Sequence, residues 1–338
     1  MKKFWFIVLC VIIIFGIFFA IPRPKSVSEN RFIIGKNARP LLIAHGGGNQ
    51  EFPDNTLEAY YNAYSIDPDC MLETDVSLTK DGVIILSHDT TLDRKTNVTG
   101  NIIDWNYSDL ISQKVDFNYE NEVSPESNGY KVSNELITYK NFEGKEVTPL
   151  DVKYPYGVSP RDDTKFLATT LEELIKDFPN NTINVEIKQD GDVGLKALDT
   201  VIKLLSDLDV DYNTFNRIVL ASFHTNVYNK IKEYQRTEYP NLKFSPNADG
   251  IILLYLTHWI GLDFIYHEPV TVLQIPQHQS ILPLNFKFFI DAAHRHNIAV
   301  HYWTIDDEND MRILAKRGAD GIMTDLPSRL KSVLDELY

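Results

Sequence analysis

Two histidines and two carboxylates fall close together in this chain: His45 in AHGGG, Glu73 and Asp75 in MLETDVSL, and His88 in ILSHD. Imidazole titrates near neutrality, so a pair of histidines can take a proton from one oxygen and give one to another within a single reaction. Glu73 and Asp75 are two apart in an apolar run with Thr and Val that reads as a strand, which turns both side chains to one face. Two carboxylates side by side repel each other, and burying them calls for a proton or a cation between them. Carboxylate oxygens are the ligands of hard divalent ions, so the pair predicts a site for Mg2+ or Ca2+.

Each histidine follows an apolar run, LLIA before His45 and VIILS before His88. Both are thereby expected at C-terminal strand ends, where barrels and open α/β sheets hold their chemistry. Gly46, Gly47 and Gly48 let the backbone come close to a ligand and turn amide N–H groups toward an anion.

In this order and spacing the residues resemble the glycerophosphodiester phosphodiesterase family. The matching positions are His45, the run Pro53, Asp54, Asn55 and Thr56, then Glu73 and Asp75, the turn from Thr79 to Gly82, and His88 with Asp89. Further matches are Glu186 and Lys188 in NVEIK, Ser222 with Phe223, and the closing run VHYWTIDDENDMRILAKRGADGIMTDLP with Trp303, so the resemblance spans about residues 41 to 336.

The resemblance implies metal-dependent hydrolysis of a glycerophosphodiester to an alcohol and a glycerol phosphate. In the family a neighbouring glycerol hydroxyl attacks first and water then opens a cyclic phosphate. His45 and His88 would carry the two proton transfers, and Glu186 would join Glu73 and Asp75 in the metal site. Lys188 would meet the phosphate, and Trp303 would form an apolar wall for the alcohol. Two positions depart from the pattern: Gly46 stands where the family has arginine, and Asp54 where it has glutamate. Gly46 therefore offers the substrate its backbone alone, and Lys188, the glycine-turn amides and the metal are expected to compensate.

The elements that must hold these residues alternate. Apolar runs predict strands at 41–44, 71–78, 83–87, 182–187, 217–221, 242–244, 270–274, 298–303 and 321–323. Helical patterns lie between them, at 56–65, 170–178, 193–208, 225–238, 248–262, 285–296, 308–317 and 327–337. With 83–87 as a hairpin-like extension, repeated strand–helix units predict a (β/α)8 TIM barrel over 41–338, which the resemblance implies as well. The section from about 105 to 169 breaks the rhythm, is rich in Asn, Ser, Tyr and Asp, and contains Pro125, Pro149, Pro155 and Pro160. It reads as an insertion after the second strand, which in the family lies over the active-site face.

Ahead of the barrel, Phe4 to Ile21 is uncharged and almost wholly apolar, preceded by Lys2 and Lys3. It predicts a transmembrane anchor within 1–25 and a linker over 26–40; the alternative is a cleaved signal peptide, whose apolar core is usually shorter. The positive-inside rule then puts the catalytic domain of a single-pass membrane protein on the extracytoplasmic side. A second apolar stretch, Gly250 to Tyr266, reads as a barrel helix whose surface is either buried or in contact with lipid or an acyl chain. His294 and His296 sit two apart and are expected at the surface near a helix C-terminus.

A formal net charge of −14 argues against a nucleic-acid partner, and two cysteines, Cys10 and Cys70, imply no disulfide framework. The substrate expected is a glycerophosphodiester or a lysophospholipid; in the second case the activity is of lysophospholipase D type and yields lysophosphatidic acid. A reading from another class, favoured by Gly46 alone, is a barrel that binds a phosphodiester or lipid headgroup without turning it over.

Overall fold

The computed structural model describes residues 1–35, 37–123, 135–279 and 282–338; several side chains of the first helix, and that of Gln279, also lie outside the description. In chain order the strands are β1 (Leu41–Ala44), β2 (Met71–Leu78), β3 (Ile84–Leu86), β4 (Ile183–Ile187), β5 (Ile218–Ala221), β6 (Lys243–Phe244), β7 (Val272–Ile275), β8 (His278–Gln279), β9 (Leu282–Pro283), β10 (Ala299–Tyr302) and β11 (Gly321–Thr324). The helices are α1 (Lys2–Ala20), α2 (Leu57–Ile66), α3 (Tyr107–Ser112), α4 (Leu171–Asp177), α5 (Gly191–Tyr212), α6 (Thr214–Arg217), α7 (Thr225–Thr237), α8 (Ala248–Trp259), α9 (Lys287–Arg295), α10 (Glu308–Arg317) and α11 (Pro327–Leu337).

Eight parallel strands pair in the order β6-β5-β4-β2-β1-β11-β10-β7, and β3 adds to β2 antiparallel, as a hairpin around Asp81 and Gly82. The first and last barrel strands are neighbours, Leu41 opposite Gly321 and Ala44 opposite Thr324. The ring is nearly closed: the Thr271 N–H donates to the Phe244 carbonyl at 2.9 Å across the gap between β6 and β7. Helices cover the outside, so the strands are buried on both faces, and β10 and β11 are buried at every position. The helix starts follow from local chemistry. Thr56 caps α2, Thr170 and Glu173 form a reciprocal capping box on α4, and Asp307 caps α10.

The segment at the N-terminus differs from expectation. The helix α1 forms where the apolar run predicts it. Yet among the described residues no helix is long and apolar enough to cross a membrane. The predicted transmembrane anchor is therefore not supported by the fold.

After α1 the chain is fastened to the barrel by a buried ionic cluster. Arg23 pairs with Asp263 at 2.5 Å, His258 Nδ1 lies 3.0 Å from the same carboxylate, and His296 Nε2 lies 3.7 Å from it. His296 is thus wholly buried rather than at the surface, since its Nδ1 also meets the Pro24 carbonyl at 3.0 Å and the incoming chain covers it. His294 stays half-exposed against Asp320.

The described parts of the insertion are packed. Phe117, Tyr139, Val147, Val152 and Phe166 are buried in the main core cluster. Tyr139 donates its hydroxyl to the Asn49 carbonyl at 2.8 Å, and the Phe142 N–H donates to the Gln50 carbonyl at 2.7 Å, so the segment is tied to the loop after β1. Pro125 and the rest of 124–134 lie outside the described residues.

Candidate active site

His45 and Asp325 leave the ends of two adjacent strands, since Ala44 lies opposite Thr324. His45 Nδ1 and Asp325 Oδ1 are 2.6 Å apart. Asp325 is held in turn, because Asp306 Oδ1 accepts from its N–H at 2.9 Å and from the Thr324 hydroxyl at 2.8 Å. A carboxylate can only accept here, so Nδ1 carries the proton and Nε2 is left to exchange one. His45 Nε2 stands 4.0 Å from Glu73 Oε2. Burial works against charging this imidazole, but the Asp325 hydrogen bond and the fields of Glu73, Asp325 and Asp75 push it up to about 10.

His88 repeats the arrangement nearer to solvent. Its Nδ1 is 2.9 Å from Asp89 Oδ1, and Arg94 Nε donates to Asp89 Oδ2 at 2.6 Å. The Asp89 bond raises the His88 imidazole above its ordinary value, although burial opposes this.

The carboxylates come from neighbouring strands. Glu73 and Asp75 face inward from β2, and Asp75 lies opposite Glu186 on β4. One oxygen from each of Glu73, Asp75 and Glu186 lies within 4.8 Å of the others. Burial, and then the charge of Asp75, push the Glu73 carboxyl up; burial raises Glu186 too, partly offset by Lys188. Oxygens gathered around one divalent ion at about 2.0–2.6 Å are separated by this order of distance, and an all-carboxylate set suits Mg2+ or Ca2+. The raised carboxyls say the same in energetic terms, because Lys188 only partly offsets the crowding of negative charge. The donors therefore fit a hard divalent cation.

Lys188, two residues beyond Glu186, bridges the set, with Nζ 3.0 Å from Asp75 Oδ1 and 3.0 Å from Glu186 Oε1. Asn55 fixes Asp75 from the other side: its amide donates to Asp75 Oδ2 at 3.1 Å, while its own oxygen accepts from Tyr60, Thr74 and the Asp75 N–H. The Gly46 N–H donates to Glu73 Oε2 at 2.9 Å. Gly46 has a φ of 55°, and a Cβ there would stand 2.9 Å from the Asp54 Cβ, so a side chain at this position would require Asp54 to shift.

Two clefts flank the histidines. One, of about 230 Å³, is lined by His45, Glu73, His88, Glu186, Lys188 and Trp303, with Phe223 in edge contact with Trp303 at 6.0 Å. The other, of about 240 Å³, is lined by His45, Gly46, Asp54, Asp75, His88 and Arg94. Together they gather all eight sequence-predicted positions at one end of the barrel. Asp54 is held ionised, because Lys95 and Arg94 outweigh its burial.

Sequence reasoning did not single out Asp325, Asp306 or Arg94. Asp325 carried a readable signal, since in a closed parallel barrel the last strand runs beside the first and delivers its terminal carboxylate next to His45. Arg94 carried none, because it reaches Asp89 from an irregular loop.

A family model described as the glycerophosphoryl diester phosphodiesterase family matches residues 45–329. The chain is 27% identical over 297 residues to a glycerophosphodiester phosphodiesterase of Caldanaerobacter subterraneus subsp. tengcongensis, an alignment covering 86% of this chain and 96% of the relative. It is 26% identical to a human lysophospholipase D, over 86% of this chain and 85% of that protein. Among solved structures, the glycerophosphoryl diester phosphodiesterase domain of a Mycobacterium tuberculosis protein superimposes with a TM-score of 0.61 at 15% identity, covering 87% of this chain and 99% of that one. An Oleispira antarctica phosphodiesterase in complex with the product sn-glycerol-3-phosphate superimposes with a TM-score of 0.55 at 18% identity, covering 88% and 97%.

Proposed function

Because the chain belongs to the glycerophosphoryl diester phosphodiesterase family and is a phosphoric diester hydrolase, we propose that it cleaves glycerophosphodiesters to an alcohol and a glycerol phosphate, with His45 and His88 as the proton-transfer pair. The observation that carries this reading is that both imidazoles are clamped at Nδ1 by carboxylates and line both clefts. A diester centred on the histidines then has room for an ester arm on either side. One imidazole accepts the proton of the attacking hydroxyl at Nε2 and the other gives a proton to the departing alkoxide. Family membership in an enzyme class leaves no support for the barrel that binds without turnover.

Glu73, Asp75 and Glu186 would hold a divalent cation, which when bound supplies Lewis-acid polarisation of the phosphoryl oxygens and lowers the pKa of a hydroxyl. Lys188 adds a fixed positive charge at the same mouth. Trp303 and Phe223 wall the first cleft and exclude water from one arm of the substrate. Gly46 gives the phosphate no side chain, and Arg94, which lines the second cleft, is the guanidinium nearest to filling that role.

A second substrate, a lysophospholipid, is favoured by the aromatic lining of the cleft beside Trp303 and by likeness to a human lysophospholipase D. An extracytoplasmic location beside a membrane belongs to the same reading and rests on the apolar N-terminal sequence.

The test is turnover by the full chain of a water-soluble glycerophosphodiester and of a lysophospholipid, with Mg2+, with Ca2+ and with EDTA. Cation-dependent release of the alcohol, reduced by about 10²-fold or more in His45→Ala and His88→Ala, supports the proposal. Undiminished turnover in both variants would sink the proton-transfer assignment.

A further inference from the structure

α8 breaks the pattern of the other long barrel helices. α5 turns charged side chains such as Lys203 and Asp207 to water. After the exposed Asp249 of its first turn, the outward residues of α8 and its C-cap, Leu253, Leu256, Trp259 and Ile260, are all apolar and between 46% and 53% exposed, while the opposite face, with Leu254, Tyr255, Thr257 and His258, is buried. Spacings of three and four residues put the exposed set on one stripe. An exposed apolar stripe of this size on the outside of a barrel marks a surface that meets a partner other than water.

The stripe is part of a larger patch. Trp259 meets Phe288 at 5.6 Å, and Phe286, Phe288 and Ile265 are exposed beside it. The root of α1 stands in the same patch: Phe19 lies 6.1 Å from His258 and 6.3 Å from Phe288, and Phe18 lies 6.1 Å from Phe264. The Arg23–Asp263 pair fixes that root to the barrel. Beyond it α1 exposes Phe4, Trp5, Phe6, Leu9, Ile13 and Ile17. From Gly250 to Leu262 the sequence holds no Asp, Glu, Lys or Arg, in a chain of net charge −14. Two apolar surfaces joined at one rigid root must meet the same medium. At its other end α8 reaches the active site, where Ile251 lines the cleft beside Trp303.

We infer that the outer face of α8, with Phe286, Phe288 and the root of α1, lies in the interface of a lipid bilayer, so that the catalytic cleft opens beside the membrane. A helix of this length lying in the interface plane buries its apolar stripe at the headgroup–acyl boundary without crossing it. An acylated diester could then leave the bilayer along α8 and enter past Ile251.

The test uses the full chain reconstituted in phosphatidylcholine vesicles, with Cys10→Ser and Cys70→Ala as background and a nitroxide at Leu256→Cys, Trp259→Cys or, for comparison, Lys203→Cys on α5. Collision with dissolved oxygen is expected to exceed collision with a water-soluble nickel chelate at 256 and 259, and the reverse at 203. Chelate-favoured collision at both 256 and 259 would overturn the inference. So would dipolar broadening between labels on different molecules, which would make a second copy of the chain the partner.

A turnover arm rests on the proposed function. The double variant Leu256→Glu, Trp259→Glu is expected to keep its rate on a water-soluble glycerophosphodiester and to lose about tenfold or more on a lysophospholipid presented in vesicles. Equal rates on the vesicle substrate count against the inference. If the unsubstituted chain turns over neither diester, the proposed function fails, and the label accessibilities still decide this one.

Discussion

The imidazole of His45 is clasped by Asp325 at 2.6 Å, so the end of the first barrel strand carries the proposed proton-transfer group and the end of the last strand orients it. Asp325→Asn keeps the size of the partner and removes its charge. It is expected to lower kcat by about 10²-fold and to shift the His45 limb of the kcat/KM profile to lower pH, because the carboxylate raises that imidazole. An unchanged profile would show that Asp325 only packs.

The same group makes stability depend on pH. In cation-free protein His45 is raised from 6.5 to about 10. A raised imidazole contributes stability that is fully present below pH 6.5 and is lost as pH rises through about 10. Melting in EDTA is therefore expected to fall across that window, and the fall should flatten in His45→Gln. Saturating Mg2+ or Ca2+ should flatten it too, by neutralising Glu73 and Asp75. A fall of equal size in wild type and His45→Gln would place the dependence elsewhere.

Cation binding should release protons, since burial raises the Glu73 and Glu186 carboxyls in its absence. Calorimetric titration in buffers of different ionisation enthalpy measures the number released, and a cation at about 100 times its Kd should add about 2.7 kcal/mol to stability. Glu73→Gln is expected to weaken binding by about tenfold or more. Binding with no proton release would contradict the raised carboxyls.

Lys188 occupies the same carboxylates that would ligate the ion, 3.0 Å from each of Asp75 and Glu186. Lys188→Met should therefore separate two quantities, lowering turnover by about 10²-fold while tightening cation binding. If affinity falls instead, the ammonium orients the carboxylates rather than competing for them.

Asp263 carries the ionic cluster that fastens the segment after α1. Burial opposes its ionisation, yet His258, His296 and Arg23 hold its carboxyl far below the usual range. Asp263→Ala leaves those partners buried without their counter-charge and is expected to cost about 3–5 kcal/mol, read by urea denaturation. A cost within the range of surface substitutions would mean that water replaces the carboxylate.

The barrel was legible because its periodicity is strong. The predicted helices at 308–317 and 327–337 coincide with α10 and α11, and the strand over 71–78 is β2. Glu73, Asp75, Glu186 and Lys188 could be brought together on paper, because alternation on two strands fixes which way each points. What alternation cannot supply is distance across the ring. Asp306 and Asp325 were visible as residues of the closing run, but their contact with His45 depends on the barrel's closure. Arg94 reaches Asp89 through loop geometry that no period encodes. His296 was misread for a related reason, since helix position says nothing of a chain segment arriving from the far end of the sequence to cover it.

The pairing of β1 with β11 also sets an order of events during synthesis. Leu41–Ala44 emerges from the ribosome well before Gly321–Thr324, so while the residues between them are made the first strand has no permanent neighbour on that side. The nascent chain carries His45, Glu73 and Asp75 while the residue that aims His45 has not yet been made. The orientation of His45 is therefore completed only when the closing strand slots between β1 and β10.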